Sequence, residues 1–220
     1  MKMTGAFFDF DRTIISVESP RLGIRYLWDH GYIRIPYLIK IMAANILYQH
    51  NVISDEIMAR VLISFYRNKP LSPFKDGSPH YYEEVIKPHL APNIVSRVKM
   101  HKDSGHILVL ISASLRYLLE PVVQDLGFHH LICTELEVGP DGLLTGRSKG
   151  HICTDRHKRD YAKQMADEFN IDLQSSFAYG DHHADIPLLE LVAHPYAVEP
   201  TVQLRKLALE REWPILCYGT

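Results

Sequence analysis

The sequence predicts an α/β fold: a doubly wound, Rossmann-like parallel sheet as core, with an inserted α-helical cap domain. Three observations predict it. Short apolar runs at 6–10, 107–111 and 176–179 each suit a buried parallel strand, and each leads into polar residues. Beyond Pro92, helical and strand-like patterns alternate, the order that builds a parallel sheet. Between Val17 and Pro92 only helical patterns with breaks occur, so 17–91 is expected as a helical insertion into a core made of 1–16 and 92–220.

Taken in order, residues 6–10 form the first strand. Helices are predicted over 20–30, closed by Gly31, and over 36–49. Ser54 reads as an N-cap, with Asp55 and Glu56 in the first turn of a helix reaching about residue 66. Pro70, Pro73 and Gly77 mark 68–78 as a loop, and a helix including 81–86 follows. The core then resumes with a helix over 93–102, a strand over 107–111, a helix over 117–126 closed by Gly127, and a strand over 131–136. The turn Gly139-Pro140-Asp141-Gly142 joins this last strand to a short one at 143–146 as a hairpin. A helix over 159–169, a strand over 176–179, a helix from Pro187 to about 192 and a strand over 196–198 complete the series.

Composition narrows the function. The 220 residues can bury a large core. With 24 basic against 26 acidic residues, nothing points to nucleic acid or an anionic membrane as the main partner. No signal-peptide stretch fits before the first strand, and Cys133, Cys153 and Cys217 show no C-x-x-C spacing, so a reduced, cytoplasmic protein is expected. The apolar segment 35–48 contains Pro36 and Lys40 and is too short to span a bilayer. It reads as a buried amphipathic helix, with a membrane-surface role as the alternative. The 13 histidines include no helix-spaced zinc pair.

The chemistry lies where the apolar runs end. Asp9 and Asp11 follow the first, Ser112 and Ser114 close the second, and Asp181 and Asp185 follow the third. In open α/β sheets ligands bind at the carboxyl ends of strands, which gathers Asp9, Ser112 and Asp181 around one crevice. Paired carboxylates there can hold a hard cation and attack phosphorus, while a hydroxyl and Lys158 hold phosphoryl oxygens. The bland readings are a solvated turn, a capping role for Asp11, and an ordinary helix-start acid for Asp185.

Asp9-Phe10-Asp11-Arg12-Thr13, the strand ending at Ser112, Lys158, and Gly180-Asp181 with Asp185 occur in an order that resembles the haloacid dehalogenase superfamily, in its phosphoserine-phosphatase-like branch. The likeness continues through Leu143-Leu144-Thr145-Gly146 and Glu212-Trp213-Pro214-Ile215-Leu216. It implies a Mg²⁺-dependent phosphatase acting on a small phosphomonoester through an aspartyl-phosphate, with a helical cap after the first motif. Asp9 would be the nucleophile and Asp11 the acid and base. Asp9, Asp181 and the backbone carbonyl of Asp11 would hold the metal. Ser112 and Lys158 would bind phosphate, Thr13 would fix the loop by hydrogen bonding, and Asp185 would stand behind the metal or orient Lys158. Glu18 and, by loose alignment, Arg60 fall where relatives bind substrate.

Two positions depart from the pattern. Arg12 fills a place that is often small, and His182-His183-Ala184 replace small and amide residues, which weakens the substrate assignment rather than the core chemistry. Phosphoserine, histidinol phosphate and phosphorylated amino alcohols are the expected substrate types. A lipid-head-group phosphatase and a catalytically silent phospho-ligand-binding protein are the alternatives, and the second acid, Asp11, speaks against a dehalogenase.

Overall fold

A computed structural model describes residues 2–50 and 52–218; residues 1, 219 and 220, the ends of the expected core, lie outside the described residues. The chain opens with β1 (Gly5–Phe8) and passes through α1 (Ser19–Asp29), α2 (Ile35–Gln49), α3 (Asp55–Ile63) and α4 (Ser72–Tyr81). It continues with α5 (Pro92–Asp103), β2 (Ile107–Leu115), α6 (Arg116–Leu126), β3 (His130–Thr134), β4 (Leu136–Val138) and β5 (Leu144–Ser148). The last elements are α7 (Asp155–Glu168), β6 (Phe177–Gly180), α8 (Ile186–Leu189), β7 (His194–Val198), α9 (Val202–Glu210) and β8 (Ile215–Leu216).

Six strands pair in parallel in the order β3-β2-β1-β6-β7-β8. The chain works outward from β1 on one side, then crosses over and works outward on the other. The order therefore reverses between β1 and β6, and a crevice opens there at the strand ends. All four β1 residues are buried. Ala6 and Phe8 face one apolar layer with Leu108, Leu110 and Tyr179, whereas Phe7 faces the other with Val109, Ile111 and Ala178. A strand covered on both faces has to be apolar at successive positions.

Below the crevice, Phe8 stacks on Tyr179 with ring centroids 4.3 Å apart. Buried His101 pairs with Tyr179 Oη at 2.8 Å and, through its other ring nitrogen, with His106 Nδ1 at 2.8 Å. Burial, then the neighbouring His106 and Arg97, lowers its pKa to about 4. The folded state thus binds the proton less readily than the unfolded chain, so stability is complete above the unfolded value and is lost as pH falls from about 6.5 to 4. His101 accounts for about 3 kcal/mol of that loss. In urea unfolding, the advantage of wild type over His101→Gln should shrink by this amount between pH 7 and pH 4; a constant difference would refute the assignment.

The helical segment between β1 and β2 leaves and rejoins the core side by side: Ile15 bridges Leu90, and Ala91 N–H donates to the Ile14 carbonyl at 2.9 Å. Its aromatic residues mostly pack. Phe65, Tyr66 and Ile63 are buried against Leu115 and Leu144 of the core, with Tyr37, Phe74 and Tyr117 around them. Ser54 caps α3 as expected, accepting from Ile57 N–H.

The expected loop at 68–78 is corrected, because α4 occupies most of it. Pro73 stands in the first turn of α4, where its missing N–H costs nothing. The Lys75 carbonyl that Pro79 cannot serve is taken by Ser78 Oγ at 2.9 Å. α2 is also not simply a buried amphipathic helix. It buries Ile41 and Ala44 but leaves Ile35, Ile39, Met42 and Ile46 exposed, because its apolar residues run nearly all the way round. Among the described residues no helix is long and apolar enough to cross a membrane.

In the second half, the expected strand at 131–136 is two strands. β3 joins the main sheet, and β4 pairs antiparallel with β5 across the expected turn. α8 is shorter than expected, and α9 and β8 complete the sheet edge.

Candidate active site

Asp9 follows directly on β1, and its N–H donates to the Tyr179 carbonyl at 2.9 Å, which ties it to β6. The polypeptide then turns tightly, with Arg12 in the left-handed region at φ 52°. Ser112 lies on β2 and Asp181 just beyond β6, while α7 begins four residues earlier than expected and so carries Lys158 near its start. Asp9, Ser112, Lys158, Asp181 and Asp185 are all buried.

Lys158 is the electrostatic centre. Its Nζ donates to Asp9 Oδ1 at 2.5 Å and to Asp185 Oδ1 at 2.6 Å. Burial alone would lower its pKa; the Asp185 and Asp9 carboxylates outweigh this and hold it well above the ordinary lysine value. The carboxylates fare differently. Burial raises Asp9 above the usual range despite Lys158, and burial with the Asp185 and Asp9 charges raises Asp181 in the same way. Too much negative charge is gathered for one ammonium and the half-exposed Arg12 guanidinium, which meets Asp181 at 3.2 Å.

Side-chain oxygens of Asp9, Asp181 and Asp185 lie within 4.8 Å of one another. Buried, crowded, all-oxygen and over-charged, this donor set fits a hard divalent cation such as Mg²⁺. Arg12 therefore neither reaches into solvent alone nor stands apart from the acids; it is paired with one of them.

Asp11 is held apart from that cluster. Ser114 Oγ donates to its Oδ2 at 2.8 Å, and the Ser19 N–H donates to its Oδ1. Burial nevertheless raises its pKa above the ordinary carboxylate value. Sequence reasoning missed Ser19 altogether. Ser114 gave a partial signal, two residues after Ser112, whose Oγ accepts from its N–H at 3.1 Å.

A cavity of about 260 Å³ opens over these groups, lined by Asp9, Asp11, Ser112, Lys158, Asp181 and Asp185 on one side and by Glu18, Asn45, Tyr48, Asp55 and Met58 of the helical segment on the other. Glu18 is thus brought to the site. Arg60 is not: it is exposed and paired with Glu56 one turn earlier on α3, at 2.5 Å, so its expected substrate contact is corrected. Among the described residues Thr13 does not make the hydrogen bond expected of it, since its buried Oγ1 has no partner there.

Asp185 is fixed from three sides, by Lys158 and by the N–H groups of Asp181 at 3.2 Å and His182 at 3.1 Å. Gly180 makes room for it: a Cβ there would come within 2.7 Å of Asp185 Cβ. Gly180→Ala should consequently displace Asp185 and loosen Lys158, lowering any turnover by about 10²-fold with little change in substrate affinity. Unaltered kinetics in this variant would show that Asp185 does not position the lysine.

The haloacid dehalogenase-like hydrolase family matches residues 6–190 of this sequence. A histidinol-phosphatase of Neisseria meningitidis is 29% identical over 221 residues, spanning 96% of this chain and 97% of the relative. A phosphoserine phosphatase of Mycobacterium tuberculosis is 28% identical over 214 residues, 96% of this chain and 69% of its own length. Among solved structures, a Bordetella pertussis protein of unknown function superposes with a TM-score of 0.87 at 25% identity, over 99% of this chain and all of that one.

Proposed function

Because the chain belongs to the haloacid dehalogenase-like hydrolase family, we propose that it is a Mg²⁺-dependent phosphatase of small phosphomonoesters working through an aspartyl-phosphate. The observation that carries this reading is the convergence of Asp9, Ser112, Lys158, Asp181 and Asp185, from four separate segments, on one buried cavity at the sheet's switch point. The relatives' names agree with it.

In this mechanism Lys158 holds one oxygen of Asp9, leaving the other to attack phosphorus. As the new O–P bond forms and the ester P–O bond breaks, Asp11 gives its proton to the departing alkoxide. A carboxyl whose pKa is raised is suited to that task. Asp11, now ionised and still aligned by Ser19 and Ser114, takes a proton from water. The water oxygen attacks the aspartyl-phosphate, which releases phosphate and restores Asp9. Ser112 and Lys158 steady the transferring oxygens, where charge is spread in a loose transition state. Mg²⁺, held by Asp9 and Asp181 with Asp185 beside them and the Asp11 carbonyl as a further ligand, would neutralise phosphoryl charge and keep the buried acids ionised.

The helical segment acts as the cap and sets specificity. Among the described lining residues, the charged ones on its side of the cavity are Glu18 and Asp55, and the lysine and arginine, Lys158 and Arg12, are already paired with acids. A substrate ammonium group suits Glu18 on this wall, whereas a substrate carboxylate meets no free cation among the described lining residues. This favours phosphate esters of amino alcohols, including the histidinol phosphate type, over phosphoserine.

The test is phosphate release from histidinol phosphate, phosphoethanolamine, phosphoserine and vesicle-borne phosphatidylglycerol phosphate, with Mg²⁺ or with EDTA. Mg²⁺-dependent turnover fastest on the carboxylate-free amines supports the whole reading. Preference for phosphoserine removes the specificity argument, turnover of the lipid alone points to a head-group phosphatase, and no turnover of any ester leaves a silent binding protein.

A further inference from the structure

Outside the catalytic acids, a second group of metal-ligating side chains comes together. Asp55, in the first turn of α3, meets His182 and His183 from the segment after β6, with one ligand atom from each within 4.8 Å of the others. Asp55 Oδ2 stands 3.9 Å from His182 Nδ1, and the two imidazoles lie 4.0 Å apart, tilted by 44°. Asp55 is far from the adjacent histidine pair in sequence and meets it only because the helical segment lies over the core.

They line a cavity of about 560 Å³ that adjoins the catalytic one, shares Tyr48, Asp55 and His182 with it, and also takes in Asp155. Asp155 also lies within electrostatic reach of Asp55, His183 and His182, so a second acid faces the same space. Thr201 lines it too, and its buried Oγ1 is without a partner among the described residues. Nothing in the phosphatase mechanism uses His183.

We propose that Asp55, His182 and His183 form a second metal site, for a borderline divalent cation such as Zn²⁺, that ties the helical segment to the core. Two imidazoles and one carboxylate suit Zn²⁺ and not Mg²⁺, which prefers oxygen alone. Ligands about 2.0–2.2 Å from a tetrahedral zinc stand about 3.3–3.5 Å apart, so modest side-chain rotation brings the observed spacing into range. His182 Nδ1 accepts a long hydrogen bond from the Ala184 N–H at 3.4 Å, which rotation of the ring would give up. Three protein ligands facing an open cavity leave the fourth position for water.

The site differs from the catalytic one in ligand chemistry and in architecture. Asp9, Asp181 and Asp185 all belong to the sheet side, whereas this one takes a ligand from each side of the catalytic cavity. A bound cation therefore restrains the position of the helical segment above Asp9.

The experiment is Zn²⁺ titration of the EDTA-stripped protein by calorimetry, with Co²⁺ visible absorption as a second readout. Wild type should bind Zn²⁺ and give the intense band of a histidine-ligated, low-coordinate Co²⁺ rather than the faint absorption of six oxygens. His183→Ala and Asp55→Asn should each weaken Zn²⁺ binding by 10-fold or more and lose that band. Asp9→Asn should keep both. Absence of Zn²⁺ binding in wild type, or equal binding by His183→Ala and Asp55→Asn, overturns the proposal. A Co²⁺ spectrum lost in Asp9→Asn but kept in His183→Ala overturns it as well, by assigning the metal to the catalytic acids.

Discussion

In Asp9→Asn, phosphate release is expected to fall by about 10⁴-fold or more, with the protein still folded. The amide matches the carboxylate in shape but has no anionic oxygen to attack phosphorus. Stability should move the other way. Asp9 is buried, and its pKa is raised in the metal-free state. A group so shifted gives the folded state its full benefit below the unfolded value of about 3.8 and loses it as pH rises through the folded one. Metal-free wild type should accordingly weaken on going from pH 5 to pH 9, and Asp9→Asn should weaken less. Urea midpoints at the two pH values check this, and a variant that is both inactive and less stable at pH 9 would point to misfolding rather than to a missing nucleophile.

The second large effect belongs to Lys158→Met. The lysine is buried between Asp9 and Asp185, so removing it leaves those carboxylates with no cation of their own. Breaking a buried ion pair from one side typically costs about 3–5 kcal/mol. Here the loss should be greatest near pH 8 and smaller near pH 5, because the orphaned acids can take up protons. Turnover should drop by about 10³-fold, and Mg²⁺ should recover part of the stability without recovering the rate. Equal destabilisation at both pH values would show that the lysine contributes packing rather than charge.

How much of this was legible in the sequence follows from what each feature depends on. The sheet and its acids were readable because the apolar runs of β1, β2 and β6 are short, covered by the two core layers and immediately followed by polar residues, which in β2 still belong to the strand. Apolar runs of that kind have few other uses. Lys158 was readable by position, although its place inside α7 was not, because Asp155 at the helix start adopts a positive φ of 45° that no sequence pattern announces. α4 was hidden because Pro73 and Gly77 are breakers only on average, and the packing of Phe74 among Phe65, Tyr66 and Tyr117 decided the matter.

Arg60 was misplaced for a related reason. Position along α3 fixes which face a side chain leaves from, and Arg60 leaves on the same side as Glu56. The seat of Asp11 between Ser19 and Ser114, and the meeting of Asp55 with His182 and His183, arise purely from tertiary packing. The sequence could show the histidine pair as a departure but could not show what faces it.

The central position of β1 also governs how the molecule is made. Gly5 aligns with Ile107 of β2, Ala6 aligns with Phe177 of β6, and the Gly5 N–H donates to Ser176 Oγ, 171 residues later in the chain. Contacts that distant make folding slow, because loop-closure entropy is spent before the strands can pair. β1 precedes both of its neighbours in the chain, and until they are in place an apolar Gly5–Phe8 segment waits unpaired. Synthesis from the N-terminus should leave this segment dependent on a chaperone. A circular permutant that begins at the Gly139–Gly142 turn, supplying β6 before β1, should refold faster than the natural order.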